Sequence, residues 1–163
     1  MKILITGGSG LLGQYLNRML SPKHKILTLY HKHQGNCLDY TSLKIDLTDI
    51  VKLNNIFEEF LPDVVIHTAA ISSPAVADFL PAKKVYDINV NCTKNLAELC
   101  NIFNSKIIYT STDLVYAGYR GSMLDENAKL IPETLYAETK LVGEKKIMEV
   151  FDNYIILRLA LLI

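Results

Sequence analysis

The feature that most constrains this chain is a glycine-rich turn between a first strand and a first helix, in the segment KILITGGSGLLG at residues 2–13. Residues 2–5 form a short apolar run of β character, and residues 11–20 have a helical pattern. A strand that turns into a helix through glycines leaves the first helical N–H groups free at the positive end of the helix dipole. Such a turn is suited to bind phosphate.

The glycines of this turn fit a dinucleotide-binding fingerprint in two registers. Gly8, Gly10 and Gly13 satisfy G-x-G-x-x-G literally, whereas Gly7, Gly10 and Gly13 are spaced at intervals of three. A lone glycine motif is weak, but its position between the first strand and the first helix makes it much stronger. The segment therefore predicts a dinucleotide site and leaves the register open.

Length and composition narrow the class of protein. The 163 residues suit one domain, half of them are hydrophobic, and the formal net charge is zero, so we expect neither disorder nor a nucleic-acid partner. Three cysteines without a C-x-x-C pair indicate reduced thiols in a cytoplasmic protein. The chain enters its first strand directly, which leaves no room for a signal peptide. The apolar run 155–163 is too short to span a bilayer, so we expect no membrane partner.

Predicted strands and helices alternate along the chain. The strands are expected at residues 2–5, 25–30, 43–46, 63–67, 105–110 and 153–162, and the helices at 11–20, 48–60 (capped by Thr48), 82–103 and 133–150. This order predicts an α/β protein, with a doubly wound parallel sheet of about six strands in a three-layer Rossmann fold over residues 1–163. Ligands of such sheets bind beyond the carboxyl ends of the strands.

Tyr136 and Lys140 are the strongest candidates for chemistry. At positions i and i+4 of a predicted helix they share one face. A neighbouring lysine favours the phenolate and lowers a tyrosine pKa that starts near ~10, so that the phenol can exchange a proton while hydride moves at the adjacent carbon. The spacing also arises by chance, as in Tyr40 and Lys44, but that pair enters a strand, where i and i+4 do not meet.

Six motifs taken together resemble the extended short-chain dehydrogenase/reductase superfamily. They are Thr6-Gly7-x-x-Gly10-x-x-Gly13, Asp46-Leu47, His67-x-Ala69-Ala70, Asn89-Val-Asn91, Ser111-Thr112-Asp113 and Tyr136-x-x-x-Lys140. Within that superfamily, the segments STDLVY (111–116) and YAETKLVGE (136–144) resemble dTDP-4-dehydrorhamnose reductases and their relatives, which act on nucleotide sugars. The resemblance runs along all 163 residues.

The resemblance implies four catalytic residues. Tyr136 would be the acid/base, and Lys140 would lower its pKa and hold the nicotinamide ribose. Thr112 would hydrogen-bond the substrate oxygen, and Asn89 would help to order a proton-relay water. Two simpler interpretations stay open at this stage: Thr112 as a cap after its strand, and Asn89 as an ordinary polar helix residue.

The resemblance also implies which residues contact the cofactor. They are Gly7, Ser9, Gly10, Leu11, Leu12 and Gly13 in the turn, Asp46 and Leu47 at the adenine, Ala69 and Ala70 alongside the cofactor, and Tyr136 and Lys140. Proteins that prefer NAD place a carboxylate at the end of the second strand, whereas this chain has His31 and Lys32 there. These two side chains could meet a 2′-phosphate, so we expect NADP(H), with NAD(H) possible. The alternative is a solvated loop.

No metal site is expected. His31 and His33 lie two residues apart in a loop, without a carboxylate at ligand spacing. His67 ends a strand and is interpreted as a hydrogen-bonded structural residue, and Cys92 and Cys100 as core.

Three functions remain in competition. The first is an NADP(H)-dependent reductase of a nucleotide-linked 4-keto sugar, or a related epimerase or dehydratase that recycles the hydride. The second is a non-catalytic NADP-binding partner, like the regulatory subunit of methionine adenosyltransferase, and the third is an inactive fragment. The resembled family has a further strand and a C-terminal substrate-binding region that these 163 residues lack. A last apolar strand with an unpaired edge would favour a homo-oligomer.

Overall fold

The structure is a computed structural model that describes residues 1–116 and 124–160. Its strands are β1 (Lys2–Thr6), β2 (Lys25–Tyr30), β3 (Ser42–Lys44), β4 (Val64–His67), β5 (Lys106–Thr112) and β6 (Tyr154–Leu159). Its helices are α1 (Leu11–Leu20), α2 (Ile50–Phe60), α3 (Pro74–Phe79), α4 (Ala82–Tyr86), α5 (Cys92–Ile102) and α6 (Leu135–Val150). A π-helical turn, Asp87–Asn91, joins α4 to α5, and 3-10 turns occupy Cys37–Asp39 and Asp113–Val115.

The six strands form one parallel sheet in the order β3-β2-β1-β4-β5-β6. The chain runs outward from β1 to β3, crosses back to β4, and then continues to β6. This order confirms the predicted doubly wound fold. Its switch point lies between β1 and β4, where ligands of such sheets bind.

Helices cover both faces of the sheet. Leu16 and Leu20 of α1 pack on one face, against residues such as Ile3 and Ile66. Helices α2, α5 and α6 bury their apolar sides against the other face, in a core that includes Leu4. Strand β1 is covered on both faces, which explains its continuous apolar sequence.

Two helix starts differ from the prediction. Thr48 does not cap α2; the cap is Asp49, whose carboxylate accepts the Lys52 amide at 3.1 Å, while the Thr48 amide and hydroxyl donate to Asp46. Helix α3 was not predicted, although Ser73 caps it and Pro74 occupies its first position, both ordinary helix-start signals.

The helix predicted over residues 82–103 is present, but it is not uniformly α-helical. The π turn at Asp87–Asn91 lies within it. Apolar periodicity did not reveal this turn, because residues on both sides of it, such as Val85 and Leu96, still face the core.

Strand β6 forms the edge of the sheet within the described residues. Ile155, Leu157 and Leu159 alternate along it and are each more than 40% exposed. The strand was predicted to reach Leu162, and residues 161–163 lie outside the described part of the chain. A homo-oligomer formed through this edge stays a prediction. Among the described helices, none combines the length and apolar character needed to cross a bilayer.

Candidate functional site

A cleft of about 580 Å³ lies at the carboxyl ends of β1, β2 and β4. Nine of the predicted cofactor residues line it: Gly7, Ser9, Gly10, His31, Lys32, Asp46, Leu47, Ala69 and Ala70. Its position beside the switch point of the sheet is the one that a bound dinucleotide requires.

The glycine turn is built around Gly7 rather than Gly8. Gly7 has φ +69°, in the left-handed region, and a Cβ there would lie 2.7 Å from the Ala69 amide nitrogen. Gly8 instead donates its amide to Leu29, and a Cβ on it would collide with Thr28. Gly7 and Gly10 line the cleft and Gly8 does not, which favours the register Gly7, Gly10 and Gly13.

The first turn of α1 approaches the glycine turn closely. A Cβ at Gly13 would lie 2.2 Å from the Gly7 carbonyl oxygen, so only glycine fits. Gly10 is the N-cap and offers no side-chain acceptor to the amides of Leu11 and Leu12, which begin the helix. The result is a glycine turn at a helix N-terminus whose cap residue has no side chain, and these features fit the pyrophosphate of a dinucleotide.

Strand β4 is fastened to this turn by threonines. The Thr68 hydroxyl donates to the Thr6 carbonyl at 2.6 Å, and the Ala69 amide donates to the Thr6 hydroxyl at 3.3 Å. These bonds place the backbone of Ala69 and Ala70 on the wall of the cleft, where small side chains leave room for a ligand.

The rim near β2 carries both signs of charge. Asp46 accepts hydrogen bonds from the amide and hydroxyl of Thr48, which hold the pKa of its carboxyl below the usual value. His31 Nε2 lies 3.6 Å from this carboxylate, and Lys32 lines the same rim. The predicted basic residues are thus at the cleft, but a carboxylate accompanies them.

Sequence reasoning missed one wall of the cleft. Lys84, Asp87 and Ile88 line it from α4 and the π turn. The available signal was topological: this helix follows β4, so its first turns lie at the same sheet edge as Ala69 and Ala70.

A second group of predicted residues lies on β5 and α6. Thr112 ends β5 and is 5% exposed, and Tyr136 lies in the first turn of α6. Burial, and less strongly the Asp113 carboxylate, raise the pKa of the Tyr136 phenol, while the nearby Thr112 hydroxyl opposes this. The Thr112 hydroxyl donates to the Asp113 carboxylate at 3.2 Å and accepts the Leu114 amide at 3.2 Å, so Thr112 does cap the turn after its strand. The expected lowering by Lys140 is therefore wrong for this structure, because burial dominates.

Lys140 is only 3% exposed, and its ammonium lies over the ring of Tyr109, with Nζ 4.0 Å from the ring centroid. Burial lowers the pKa of Lys140 to about 7, and the carboxylate of Glu144 opposes this effect. Tyr136, Lys140 and Glu144 follow one another at i, i+4 and i+8 on α6.

Glu144 is a fully buried carboxylate with a dedicated partner. Arg158 of β6 contacts it through Nη2 at 2.7 Å and Nε at 3.1 Å, and the Ser111 hydroxyl also donates to it. Arg158 further donates to the Tyr116 hydroxyl at 2.8 Å. The ion pair ties β6 to α6, and the bond to Tyr116 ties β6 to the turn that follows Thr112.

Asn89 lies in the π turn and uses its side chain to join three elements. Its amide oxygen accepts from the Ile71 amide at 2.8 Å, and its amide nitrogen donates to the Ile71 carbonyl and to the Thr139 hydroxyl at 3.1 Å. Asn89 therefore lies beside α6 and links it to the π turn and to the segment at Ile71. Its predicted action on a relay water stays a prediction.

His67 is held as a neutral hydrogen-bonded residue, in agreement with its structural interpretation. Thr93 donates its hydroxyl proton to the Asn89 carbonyl, so His67 Nε2 donates to Thr93 at 3.0 Å, and Nδ1 accepts from Thr6 at 2.7 Å. Burial and the Lys140 ammonium lower the pKa of His67 to about 3. Within residues 1–116 and 124–160, no three His, Cys, Asp or Glu side chains are grouped as metal ligands would be.

Comparison with known proteins identifies relatives of this chain. Among curated relatives, the dTDP-4-dehydrorhamnose reductase of Aggregatibacter actinomycetemcomitans is 32% identical over 157 residues, covering 96% of this chain and 50% of the relative. The methionine adenosyltransferase 2 subunit beta of Pongo abelii is 29% identical, covering 99% of this chain and 47% of the relative. The chain thus spans about half the length of the curated relatives it matches.

Solved structures show the same fold. A dTDP-4-dehydrorhamnose reductase from Bacillus anthracis in complex with NADP has a TM-score of 0.83 at 28% identity, covering 98% of this chain and 53% of that one. WbmG from Bordetella bronchiseptica in complex with NAD has 0.84 at 26%, covering 97% and 52%. A UDP-Glc/GlcNAc 4-epimerase from Campylobacter jejuni has 0.86 at 27%, covering 96% and 52%.

The family model described as the RmlD substrate binding domain matches residues 1–163. The match covers the glycine turn, the cleft and the group on β5 and α6. The chain therefore belongs to the RmlD substrate-binding-domain family, and it resembles dTDP-4-dehydrorhamnose reductases in sequence and in fold.

Proposed function

We propose that residues 1–163 form the cofactor domain of an NADP(H)-dependent reductase that acts on a nucleotide-linked 4-keto sugar. The observation that carries this proposal is that the Thr112 hydroxyl lies close enough to the Tyr136 phenol to affect its pKa, at the carboxyl end of β5 in the same sheet whose switch point holds the glycine turn. A hydroxyl donor beside a phenol suits reduction of a carbonyl, because both can contact the same oxygen.

Tyr136 can supply the proton that reduction of a sugar carbonyl requires. A phenol whose pKa is raised stays protonated near neutral pH, so it can give its proton to the sugar oxygen. The nicotinamide, when bound, supplies the hydride for this reaction. Thr112 would orient the oxygen by hydrogen bonding, and Lys140 would bring its N–H donors to the nicotinamide ribose.

NADP(H) is our choice of cofactor because His31 and Lys32 lie on the rim of the cleft beyond β2. The adjacent Asp46 carboxylate and the NAD-bound and NADP-bound relatives keep NAD(H) as the competing choice. A thermal-shift titration with each nucleotide decides between them. A ligand that binds only the folded chain adds about 2.7 kcal/mol at a hundredfold excess over Kd.

The test of activity is oxidation of NADPH with a dTDP-linked 4-keto sugar by the protein in its natural length. We expect Tyr136→Phe to lower kcat by about 100-fold or more, since general acid catalysis contributes about that much. Tyr154→Phe, at the opposite end of the sheet in β6, is the matched control and should retain activity. An unchanged kcat in Tyr136→Phe would refute the assigned role.

A second candidate is a non-catalytic NADP-binding partner subunit, which the similarity to methionine adenosyltransferase 2 subunit beta favours. NADPH binding without turnover of any 4-keto sugar would support it. An epimerase, as the Campylobacter relative is named, would convert the nucleotide sugar without net oxidation of NADPH.

A further inference from the structure

The environment of the Lys140 ammonium is unusual for a buried cation. The carboxylate that acts on it, Glu144, is already engaged by Arg158 and by the Ser111 hydroxyl. The Lys140 Nζ lies instead 4.0 Å from the ring centroid of Tyr109. We propose that the ring face of Tyr109 holds the Lys140 ammonium in place, which makes Tyr109 a positioning residue. This inference rests on the proposed function, in which Lys140 holds the nicotinamide ribose.

The ring of Tyr109 is fixed on several sides. It is fully buried on β5, and the ring of His67 lies beside it with centroids 5.5 Å apart. Its hydroxyl lies 3.5 Å from the Lys140 carbonyl oxygen. A Cβ at Gly143 would lie 2.6 Å from that hydroxyl, so glycine lets α6 approach the ring. The phenol ring is therefore a rigid support rather than a loose neighbour.

The charged and titratable groups around Lys140 come from four elements. Tyr136 and Glu144 lie on its own helix α6, His67 on β4, Tyr109 on β5, and Arg158 on β6 behind Glu144. His67 is neutral, and the charge of Glu144 is balanced by Arg158. The electron-rich face of an aromatic ring attracts a cation in such a setting, and the attraction is stronger where water is excluded.

This arrangement has a chemical advantage over an ion pair. A carboxylate would occupy the N–H donors of Lys140, whereas a ring face attracts the charge and leaves donors available. The ammonium is thereby held in position and can still donate to a ligand. Three residues form this arrangement: Tyr109 on β5 supplies the ring, Lys140 on α6 supplies the cation, and Gly143, one turn further along α6, leaves space for the ring.

The test measures the titration of Lys140 by NMR in the 163-residue chain with labelled lysine, assigned with Lys140→Met. Two substitutions of similar shape separate the ring face from the hydroxyl: Tyr109→Phe, and Tyr109→3,4,5-trifluorophenylalanine, in which fluorine withdraws electron density from the ring. We expect Tyr109→Phe to leave the titration midpoint in place. The fluorinated ring should lower it by about 1 unit, since a desolvated cation–π contact favours the charged form by about that amount.

A fluorinated ring at Phe57, a buried core position that packs against Phe103, is the matched control and should not shift the midpoint. The proposal is overturned if fluorination at position 109 leaves the midpoint unchanged or raises it, or if Tyr109→Phe shifts it equally.

The readout does not depend on the proposed function, because the lysine titrates without cofactor or substrate. An absence of NADPH binding would refute the cofactor domain and leave the contact between ring and ammonium intact. If the proposed function holds, the fluorinated variant should also bind NADPH several-fold more weakly than Tyr109→Phe. Equal affinities in the two variants would remove the positioning role.

Discussion

The two halves of the candidate site differ in the groups that form them: one consists of backbone and the other of buried side chains. The glycine turn and the first turn of α1 present backbone, and their shape depends on Gly7 and Gly13, where a Cβ has no space. The group on β5 and α6 depends on buried side chains, with Lys140 over an aromatic ring and Glu144 paired with Arg158. Adding a side chain should therefore disrupt the glycine turn, whereas removing a side chain should disrupt the buried charge network.

The strongest test removes one member of the buried pair. We expect Arg158→Met to lower the free energy of unfolding by about 3–5 kcal/mol, because it leaves the Glu144 carboxylate buried without its charged partner. Chemical denaturation measures this change. Lys146→Met, which breaks the exposed Lys146–Glu149 pair on the same helix, should cost about 0.5 kcal/mol or less. Equal costs in the two variants would mean that the buried pair contributes no more than the exposed one.

The backbone half is tested by adding one carbon. Gly13→Ala should destabilise the chain by about 1–3 kcal/mol, because its Cβ would collide with the Gly7 carbonyl oxygen. Thermal unfolding and NADPH titration should both report the loss. Gly10→Ala is the control for stability, since its Cβ would meet the same oxygen at 3.3 Å. A Gly13→Ala protein as stable as Gly10→Ala would show that the turn is not tightly packed.

The free energy of unfolding should also respond to pH through His67 of β4, whose ring lies beside Tyr109 in the side-chain half. The pKa of His67 is about 3 in the folded chain and about 6.5 when unfolded, so the unfolded state binds more protons between these values. The free energy of unfolding should therefore fall as pH drops through this window, with a contribution from His67 of about 1.4 kcal/mol per unit.

Denaturation at several pH values measures that slope. His67→Asn should flatten it, whereas His33→Asn, an exposed residue on the rim, should leave it unchanged. A slope that survives His67→Asn would assign the effect to other groups.

The smallest effect is expected on cofactor binding from Lys32, a single exposed side chain on the rim of the cleft. Lys32→Ala should weaken NADPH binding about fivefold and leave NADH binding unchanged, since an exposed charge contact contributes about 1 kcal/mol or less. Fluorescence titration with both nucleotides measures the ratio. Lys23→Ala, after α1 and away from the cleft, is the control. Equal losses for the two nucleotides would exclude a contact to the 2′-phosphate.

The contrast between the two halves also explains what the sequence could predict. The strand order and the glycine turn were accessible because they follow from local patterns: apolar runs, glycine spacing, and the alternation of strands with helices. Even there, the constraints on Gly7 and Gly8 come from the neighbours Ala69 and Thr28, which are distant in the chain.

The pKa values in the group on β5 and α6 could not be predicted from local sequence patterns in the same way. The spacing of Tyr136 and Lys140 correctly places both on α6, yet burial raises the pKa of the tyrosine instead of the lysine lowering it. The neighbours that act on this pKa, Thr112 and Asp113, come from β5 and the turn after it, so no pattern within α6 predicts them.

The π turn has a consequence for how chains of this kind change length. A π turn holds about one residue more than an α-helical turn, so deleting one residue from Asp87–Asn91 would restore a regular helix and leave the phase of α5 unchanged. Buried positions of α5 such as Leu96 would then still face the core, and only the residues of the turn itself, such as Ile88 at the cleft, would be displaced. A one-residue gap in this segment therefore keeps α5 aligned, whereas the same gap inside α5 would rotate every position after it by roughly 100°.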